Sequence, residues 1–217
     1  MDIFIIRHGE CRGQIDPACT SPDSELTAKG EEQGRQTATR LIAEGITHLV
    51  SSPLVRALST ANALAATLTC APIQVWLELR EGWSGPLHQG FGRRVLQQRF
   101  PQPLLPPAIT DDGWSHGNDT YEGMFTRSQQ AIQRLQNEFA PNAHVAVVTH
   151  GGIGNYLLHA LLHIAPTTPH WFEMTNCAIS HVQIMPVTEQ TSWPLYPPAH
   201  AHILCINDTS HLRSRSA

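Results

Sequence analysis

The chain has 217 residues, and 41% of them are hydrophobic, which is enough to bury a sizeable core in a single domain. A formal net charge of −4 argues against a general nucleic-acid or membrane-surface binder, so any anionic ligand must be held by local arginines. The five cysteines form no Cys-x-x-Cys pair and no apolar run reaches the length of a secretory signal or a membrane span, so we expect a cytoplasmic protein without a disulfide framework or a thiolate zinc site.

The first predicted element is a short buried strand, Ile3 to Ile6, which ends abruptly at charged and polar residues. Arg7 follows it with donors suited to a phosphate or a carboxylate, and His8 can serve as a base, a metal ligand or a nucleophile. Gly9 lets backbone N–H groups approach a small anion, and ligands of open α/β sheets bind at the carboxyl ends of strands. Taken alone, these letters are equally compatible with an exposed turn.

A polar loop from Cys11 to Ser24 comes next and is placed to line a pocket beside His8, with Gln14 among its hydrogen-bonding side chains. Thr27 is suited to cap a helix that runs to Ala43, and Gly45 ends that helix. The residues expected to face inward on this helix are Thr37, Ala38, Leu41 and Ile42.

Residues 47–53 predict a second short strand, and residues 54–68 predict an amphipathic helix after it. Arg56 lies in the first turn of this helix, just past the carboxyl end of the strand, as Arg7 and His8 do in the first unit. A cation at that end opposes the helix dipole, so a bound anion would explain its presence. The alternative is an ordinary surface arginine.

A third short strand, Ile73 to Leu77, is followed by two glutamates that qualify as an acid, Glu78 and Glu81. Spacing alone does not choose between them, and both could be solvated loop residues. Residues 86–118, called the cap segment below, interrupt the alternation of strands and helices with an amphipathic stretch, a proline cluster and a polar loop. We expect an insertion that caps the site, whose aromatic and histidine side chains contact substrate or pack the cap onto the body. The segment's own side chains include Trp114 and His116, and Trp83, which precedes the segment, shares the packing role with Trp114.

A helix over residues 119–140 leads to the second informative stretch, in which Val145 to Val148 predicts a buried strand. That strand ends in Thr149-His150-Gly151, before a helix from Ile153 to about Ile164. Because the pattern of strand, histidine and glycine occurs twice, we expect two imidazoles and two guanidiniums in one pocket. At the end of the chain we expect strands over 178–187 and 202–206 and a polar, mobile tail over 207–217.

Several of these blocks together resemble the histidine phosphatase superfamily, in its phosphoglycerate-mutase-like branch, from Ile3 to about Ile184. The matching blocks stand in the family's order and are Ile5-Ile6-Arg7-His8-Gly9-Glu10, Leu26-Thr27 with Gly30 and Gln33, Ser51-Ser52-Pro53-Leu54 with Arg56-Ala57 and Thr60-Ala61, Val148-Thr149-His150-Gly151-Gly152, and Asn176-Cys177-Ala178-Ile179-Ser180. The resemblance implies a three-layer α/β/α sandwich with a mostly parallel central sheet.

The resemblance also implies a phosphoryl-transfer site in which His8 is the nucleophile and becomes phosphohistidine. Arg7, Arg56 and His150 would bind the phosphoryl group and stabilise charge on its oxygens. Glu81, which fits the family's acidic block better than Glu78, would protonate the leaving group and then activate water. Such a site requires no metal and no cofactor.

Further phosphate-binding candidates are Gly151 and Gln14, although the family usually has an asparagine at the position of Gln14. The block after Glu81 and the Asp119-Thr120 pair also depart from the family pattern. These departures affect the expected substrate specificity and not the expected reaction. The resemblance therefore implies a phosphomonoesterase acting on a small phosphorylated metabolite, with no nucleic-acid or membrane partner.

Three other functions compete with this one. A phosphoglycerate-type mutase shares the site but usually carries a longer insertion after the acid. An inactive regulatory module would be marked by loss of His8, an arginine or His150, all of which are present. A metal hydrolase is suggested by the number of histidines, including the pairs His159 with His163 and His200 with His202.

Overall fold

The computed structural model describes residues 1–185 and 199–212. Its strands are β1 (Asp2–Arg7), β2 (His48–Ser51), β3 (Gln74–Val75), β4 (His88–Gly90), β5 (Trp114–His116), β6 (His144–Thr149), β7 (Ile179–Ile184) and β8 (Ala201–Asp208). Its α-helices are α1 (Arg12–Ile15), α2 (Ala28–Leu41), α3 (Val55–Ala65), α4 (Arg93–Arg99), α5 (Tyr121–Glu138) and α6 (Gly151–Leu161). Short 3₁₀ helices cover Ile42–Glu44, Leu77–Leu79 and Ser210–Leu212.

The central sheet has six strands in the order β3-β2-β6-β1-β7-β8. The first four strands of that order are parallel, whereas β7 and β8 pair antiparallel to their neighbours. The predicted α/β fold with a mostly parallel sheet is therefore confirmed. Strands β4 and β5 form a separate antiparallel pair within the cap segment.

The apolar run of β1 divides between two cores because successive side chains of a strand point to opposite faces. Ile3 and Ile5 pack into a core with residues of α5 and α6, whereas Phe4 and Ile6 pack into a core with residues of α2 and α3. Such continuous burial is typical of a parallel strand covered by helices on both faces. It produces the three layers that the resemblance implied.

Helix α2 begins where the sequence predicts, since the Thr27 side chain accepts a hydrogen bond from Gly30 N at 3.0 Å. It ends two residues early, in a 3₁₀ turn that stops at Gly45 in the left-handed conformation (φ +61°). Ile42 was expected to face inward, but it lies in that turn and is 58% exposed. Gly30 is required for a different reason, because a Cβ there would collide with the Glu10 carbonyl.

Other elements also differ from their predicted bounds, and the third strand and the helix after His150 are two examples. The third strand covers only Gln74–Val75, because β2 ends at Ser51, whose carbonyl accepts from Trp76 N at 2.9 Å where the chain turns into a 3₁₀ helix. The predicted helix at 153–164 starts earlier and stops earlier, as α6, because its first turn already contains the glycines after His150.

The cap segment covers one edge of the central sheet and packs on the body. Val75 N donates to Leu104 O at 3.0 Å, which continues the sheet pattern beyond β3. Trp114 is buried in a third apolar cluster that joins the segment to α3, as one of its two expected roles requires.

The first residues of the predicted tail have regular structure. Strand β8 extends to Asp208, and the 3₁₀ turn after it places His211 Nε2 3.1 Å from Cys177 O and 3.0 Å from Thr37 Oγ1. Residues 207–212 thus contact α2 through His211, and residues 213–217 lie outside the described part of the chain. The predicted strand end at Val187 lies outside it as well. Of the helices in residues 1–185 and 199–212, none combines the length and the apolar character needed to cross a bilayer.

Candidate active site

The predicted site residues converge at the carboxyl ends of β1, β2 and β6. Parallel registers pair Arg7 with Thr149 and Ser51 with Val148, so the residues that follow these strands meet at one edge of the sheet. A pocket of about 310 Å³ opens there. Its walls include Arg7, His8, Gln14, Arg56, Glu81 and His116.

His8 is held as a single neutral tautomer. Its Nδ1 lies 2.7 Å from the Gly9 carbonyl, which can only accept, so Nδ1 carries the proton. Its Nε2 accepts a hydrogen bond from Arg56 Nε at 3.1 Å. Burial, together with the charges of Arg56 and Arg7, holds the pKa of His8 well below the usual value for histidine. An unprotonated Nε2 therefore faces a cationic pocket.

Arg56 is buried in the first turn of α3, as the sequence predicted, and is not a surface arginine. Its Nη1 donates to Pro22 O at 2.9 Å. The next residue of that loop, Asp23, accepts from Val55 N at 2.7 Å and so binds the start of the same helix. Burial raises the pKa of Asp23 to about 6, although the Val55 N–H and the Arg56 charge oppose the rise. The loop thus positions Arg56 from two sides.

Arg7 is anchored by the backbone at Met174, which the sequence analysis did not single out. Its Nη1 donates to Met174 O at 2.6 Å, and a Cβ on Gly151 would lie 3.6 Å from its Nε. Gly151 therefore lies beside the Arg7 guanidinium, and its contact with phosphate stays a prediction.

Gln14 lies in the pocket wall, but its amide group is engaged by the protein. Its Oε1 accepts from Cys11 N at 3.0 Å and from Asn176 Nδ2 at 3.1 Å. The same Asn176 nitrogen donates to the His8 carbonyl at 2.9 Å. Gln14 therefore supports the loop around His8 in this state, through an asparagine that sequence reasoning assigned only to a family block.

His150 lies directly against His8, with ring centroids 5.0 Å apart, and is fully buried. Its Nε2 shares a hydrogen bond with Ser52 Oγ at 2.8 Å, whereas its buried Nδ1 has no partner among the described residues. Burial, Arg56 and His8 all hold the pKa of His150 well below the usual value. The ring is therefore neutral in the folded protein.

The structure separates the two candidate acids. The Glu81 carboxyl group lies in the pocket wall at the N-terminus of α6, where it accepts from Gly152 N at 2.9 Å and Ile153 N at 3.0 Å. Helix N-termini favour carboxylates in this way. Glu78 instead lies outside the pocket and forms an ion pair with Arg134 at 3.3 Å.

The loop that carries Glu81 is held by a buried ion pair that was missed in the sequence. Arg127 donates to Glu78 O at 3.0 Å, to Arg80 O at 2.6 Å and to the Asp119 carboxylate at 3.1 Å. Asp119 in turn accepts from Trp83 N at 3.1 Å. The sequence held one sign of this pair, because Arg127 falls on the inward face of the predicted helix, eight residues after Asp119.

The cap segment contributes a histidine to the pocket. His116 is 1% exposed, lines the wall with Trp83 and lies 2.8 Å through Nε2 from the Glu81 carbonyl. Trp83 donates from Nε1 to Pro86 O at 2.8 Å, at the start of the segment.

No group of three or more histidine, cysteine, aspartate or glutamate side chains in residues 1–185 and 199–212 is arranged to hold a metal ion. His159, half of one suggested pair, packs among Tyr156, Trp171 and Phe172.

The sequence matches one family model and several curated relatives. The model of the histidine phosphatase superfamily (branch 1) matches residues 3–192. Probable phosphoglycerate mutase GpmB of Enterobacter sp. (strain 638) is 27% identical over 183 residues, which cover 84% of each chain. The protein of the same name from Escherichia fergusonii is 28% identical over 194 residues, which again cover 84% of each chain.

Solved structures share the fold. YhfR of Bacillus stearothermophilus has a TM-score of 0.69 at 20% identity, over 98% of this chain and 99% of that one. Phosphoserine phosphatase of Entamoeba histolytica, solved with 3-phosphoglyceric acid, has a TM-score of 0.65 at 22% identity over the same shares. The alpha-ribazole phosphatase of Shigella flexneri has a TM-score of 0.66 at 21% identity over 96% of both chains. The family match over residues 3–192 shows that this chain belongs to the histidine phosphatase superfamily, branch 1.

Proposed function

We propose that the chain is a phosphomonoesterase that hydrolyses a small phosphorylated metabolite through a phosphohistidine on His8. The observation that carries this proposal is the state of His8. Its Nδ1 proton is held by the Gly9 carbonyl, and its unprotonated Nε2 lies 3.1 Å from Arg56 Nε. A neutral imidazole with a lone pair directed into a cationic pocket is prepared to attack phosphorus.

Substrate binding comes first in the proposed mechanism. Arg7 and Arg56 hold the phosphoryl oxygens, and the guanidinium of Arg56 exchanges its bond to His8 for one to the substrate. His150 contributes an N–H donor from a neutral ring. Gly151 lies beside Arg7 and Gln14 lies in the wall, so both remain secondary candidates for contact with the phosphate.

Two displacements complete the reaction. In the first, His8 Nε2 forms a bond to phosphorus while the bond to the leaving oxygen breaks, and Glu81 gives that oxygen a proton. In the second, the Glu81 carboxylate takes a proton from water, the water oxygen bonds to phosphorus, and the bond to Nε2 breaks. The products are an alcohol and inorganic phosphate, and neither step uses a metal or a cofactor.

The names of the relatives suggest what to try as substrates. Phosphoserine and alpha-ribazole phosphate come from the names of structural neighbours, and 3-phosphoglycerate comes from the ligand of one of them. We propose that the reaction takes place in the cytoplasm, in keeping with five cysteines that are all free thiols.

The first test is hydrolysis of p-nitrophenyl phosphate near pH 6 with a chelator present, by the wild type and by His8→Ala. We expect activity to vanish in the variant and an acid-labile phosphoryl group to be trapped on His8 of the wild type. His202→Ala, exposed on β8 and outside the pocket wall, is the control and should retain full activity. An equally active His8→Ala would exclude this nucleophile.

A phosphomutase is the second candidate, because the curated relatives are named mutases. The discriminating assay follows 3-phosphoglycerate with and without a bisphosphoglycerate. Release of inorganic phosphate in both cases supports the phosphatase, whereas isomerisation that depends on the bisphosphate supports the mutase. No turnover of any phosphate ester, with intact phosphate binding, would point to a regulatory module.

A further inference from the structure

The His116 ring donates a hydrogen bond to the backbone carbonyl of Glu81. A backbone carbonyl only accepts, so the contact of 2.8 Å means that the proton of His116 is on Nε2. The unprotonated Nδ1 is buried and has no partner among the described residues. Burial lowers the pKa of His116, the bond to Glu81 partly opposes this, and Arg80 adds to it. The ring is therefore a neutral donor aimed at one carbonyl.

Other side chains that hold this loop bind the backbone of residues near Glu81, and not the Glu81 carbonyl. Arg127 binds the carbonyls of Glu78 and Arg80, and Asp119 binds the N–H of Trp83. These bonds fix the residues on either side of Glu81. His116 is the side chain that binds the peptide of Glu81 itself, while the first turn of α6 binds its carboxyl group.

We propose that His116 is a positioning residue for leaving-group protonation, holding the Glu81 peptide so that the carboxyl group stays aimed at the leaving oxygen. This inference rests on the proposed function, in which Glu81 is the general acid. Because His116 belongs to β5 of the cap segment, substrate packed against that segment would also influence the acid. The cap would thus take part in the chemistry through one hydrogen bond.

A pair of substitutions isolates the hydrogen bond from the packing of the ring. His116→Gln places an amide donor near the position of Nε2, whereas His116→Met has similar length and no donor. Ser115→Ala is the control, since Ser115 is an exposed neighbour on the same strand. Glu81→Gln is the reference for a lost acid.

The readout is kcat/KM for substrates that differ only in their need for a proton. Dinitrophenyl phosphate releases a stable anion without protonation of the leaving oxygen. Phenyl phosphate depends partly on that protonation, and an alkyl phosphate depends on it most. For Glu81→Gln we expect a loss of about 100-fold to 10,000-fold on alkyl phosphate and little loss on dinitrophenyl phosphate. His116→Met should show the same graded pattern, with a loss of about 100-fold on alkyl phosphate from a displaced acid. His116→Gln should recover most of it.

Each other result has its own meaning. An equal loss by His116→Met on every substrate would show a merely structural role and overturn the proposal, as would no loss at all. If Glu81→Gln itself shows no graded pattern, the assignment of Glu81 fails and the proposed function is revised. Where His116→Met does not fold, His116→Asn replaces it, because its shorter amide cannot reach the Glu81 carbonyl; activity equal to that of His116→Gln on alkyl phosphate would then overturn the proposal.

Discussion

Arg56 donates through Nε to His8 Nε2 at 3.1 Å, so the most reactive nitrogen of the pocket is already paired with a guanidinium. The same arginine is tied through Nη1 to Pro22 O, which fixes its plane. In the mechanism proposed above, a phosphoryl group that enters displaces the bond to His8 while the bond to the loop remains. The side chains of the pocket are thus held by the protein itself, and Arg56 covers the nitrogen of His8 that is proposed as the nucleophile.

Replacing Arg56 by lysine tests this arrangement. An ammonium group keeps the positive charge but cannot both bind Pro22 O and present a second planar donor to His8 or phosphate. We expect kcat/KM for an aryl phosphate to fall by about 100-fold to 1,000-fold. Inhibition by inorganic phosphate should weaken in parallel. The control Arg12→Lys, at an exposed position, should change neither quantity. Unchanged phosphate inhibition in Arg56→Lys would contradict the role proposed for the planar guanidinium.

Stability should depend on pH through the buried histidines. Burial lowers the pKa values of His8 and His150 in the folded chain, so below about pH 6.5 the unfolded chain binds protons that the folded chain does not. The free energy of unfolding should therefore fall as the pH drops below about 6.5. His150→Gln should reduce this slope by about 1.4 kcal/mol per pH unit, measured by urea unfolding between pH 7.5 and 5. The exposed His202→Gln should leave the slope as it is, and so would His150→Gln if its pKa were ordinary.

Asp23 should act in the opposite direction. Burial raises its pKa to about 6, so between about pH 6 and pH 4 the folded chain binds a proton that the unfolded chain does not. This uptake partly offsets the loss of stability caused by the histidines. Asp23→Asn keeps an oxygen for Val55 N and removes the titration, so its stability should fall more steeply with acid than that of the wild type. Asp112→Asn, at an exposed position, should match the wild type, and an unchanged slope in Asp23→Asn would refute the shift.

Two adjacent glycines provide a matched test of where the Glu81 carboxyl group sits. A Cβ on Gly152 would lie 2.6 Å from Glu81 Oε1, whereas a Cβ on Gly151 would meet only Arg7 at ordinary distance. Because a carboxyl group is the movable end of its side chain, Gly152→Ala should displace it with little effect on stability. We expect alkyl phosphate turnover to fall far more than dinitrophenyl phosphate turnover. Gly151→Ala should show no such selectivity, and equal profiles for the two variants would contradict this placement of the acid.

Breaking the buried ion pair should be costly. Arg127→Met removes one donor from the carbonyls of Glu78 and Arg80 and leaves the Asp119 carboxylate with the Trp83 N–H and a longer contact to Arg80, so the free energy of unfolding should fall by about 3 kcal/mol. Arg134→Met removes ion pairs that are partly exposed, and should cost about 1 kcal/mol or less. Denaturant melts of both variants measure the contrast. Similar losses would show that Arg127 contributes no more than a surface residue does.

The catalytic end of the sheet was predictable because it depends on local pattern and parallel pairing. His8 and His150 each follow a continuous apolar run, and parallel strands of that kind deliver their next residues to the same edge. The choice of Glu81 over Glu78 came only from family resemblance, since residues three apart in an irregular turn carry no periodic signal. The structure places the Glu81 carboxyl group in the pocket wall at the first turn of α6, and its role as the acid stays a prediction.

The contacts that position these residues could not be read from the sequence. Asp23 with Val55, Asn176 with the His8 carbonyl and His116 with Glu81 join loops that are distant along the chain. Neither propensity nor spacing specifies such pairs, because loop conformation is set by tertiary packing. The turn at 210–212 was missed for the same reason, since a polar sequence does not reveal that His211 contacts Thr37 and Cys177.

The bond from Val75 N to Leu104 O gives the cap segment a consequence for how the protein behaves in concentrated solution. Strand β3 closes one side of the parallel sheet, and Leu104 occupies backbone groups that a neighbouring molecule could otherwise pair with. Shortening the segment to admit a larger substrate would therefore expose unpaired backbone groups at this edge of the sheet, where another molecule could bind. An engineered variant with a wider pocket would need a charged residue or a proline on that edge strand to avoid aggregation.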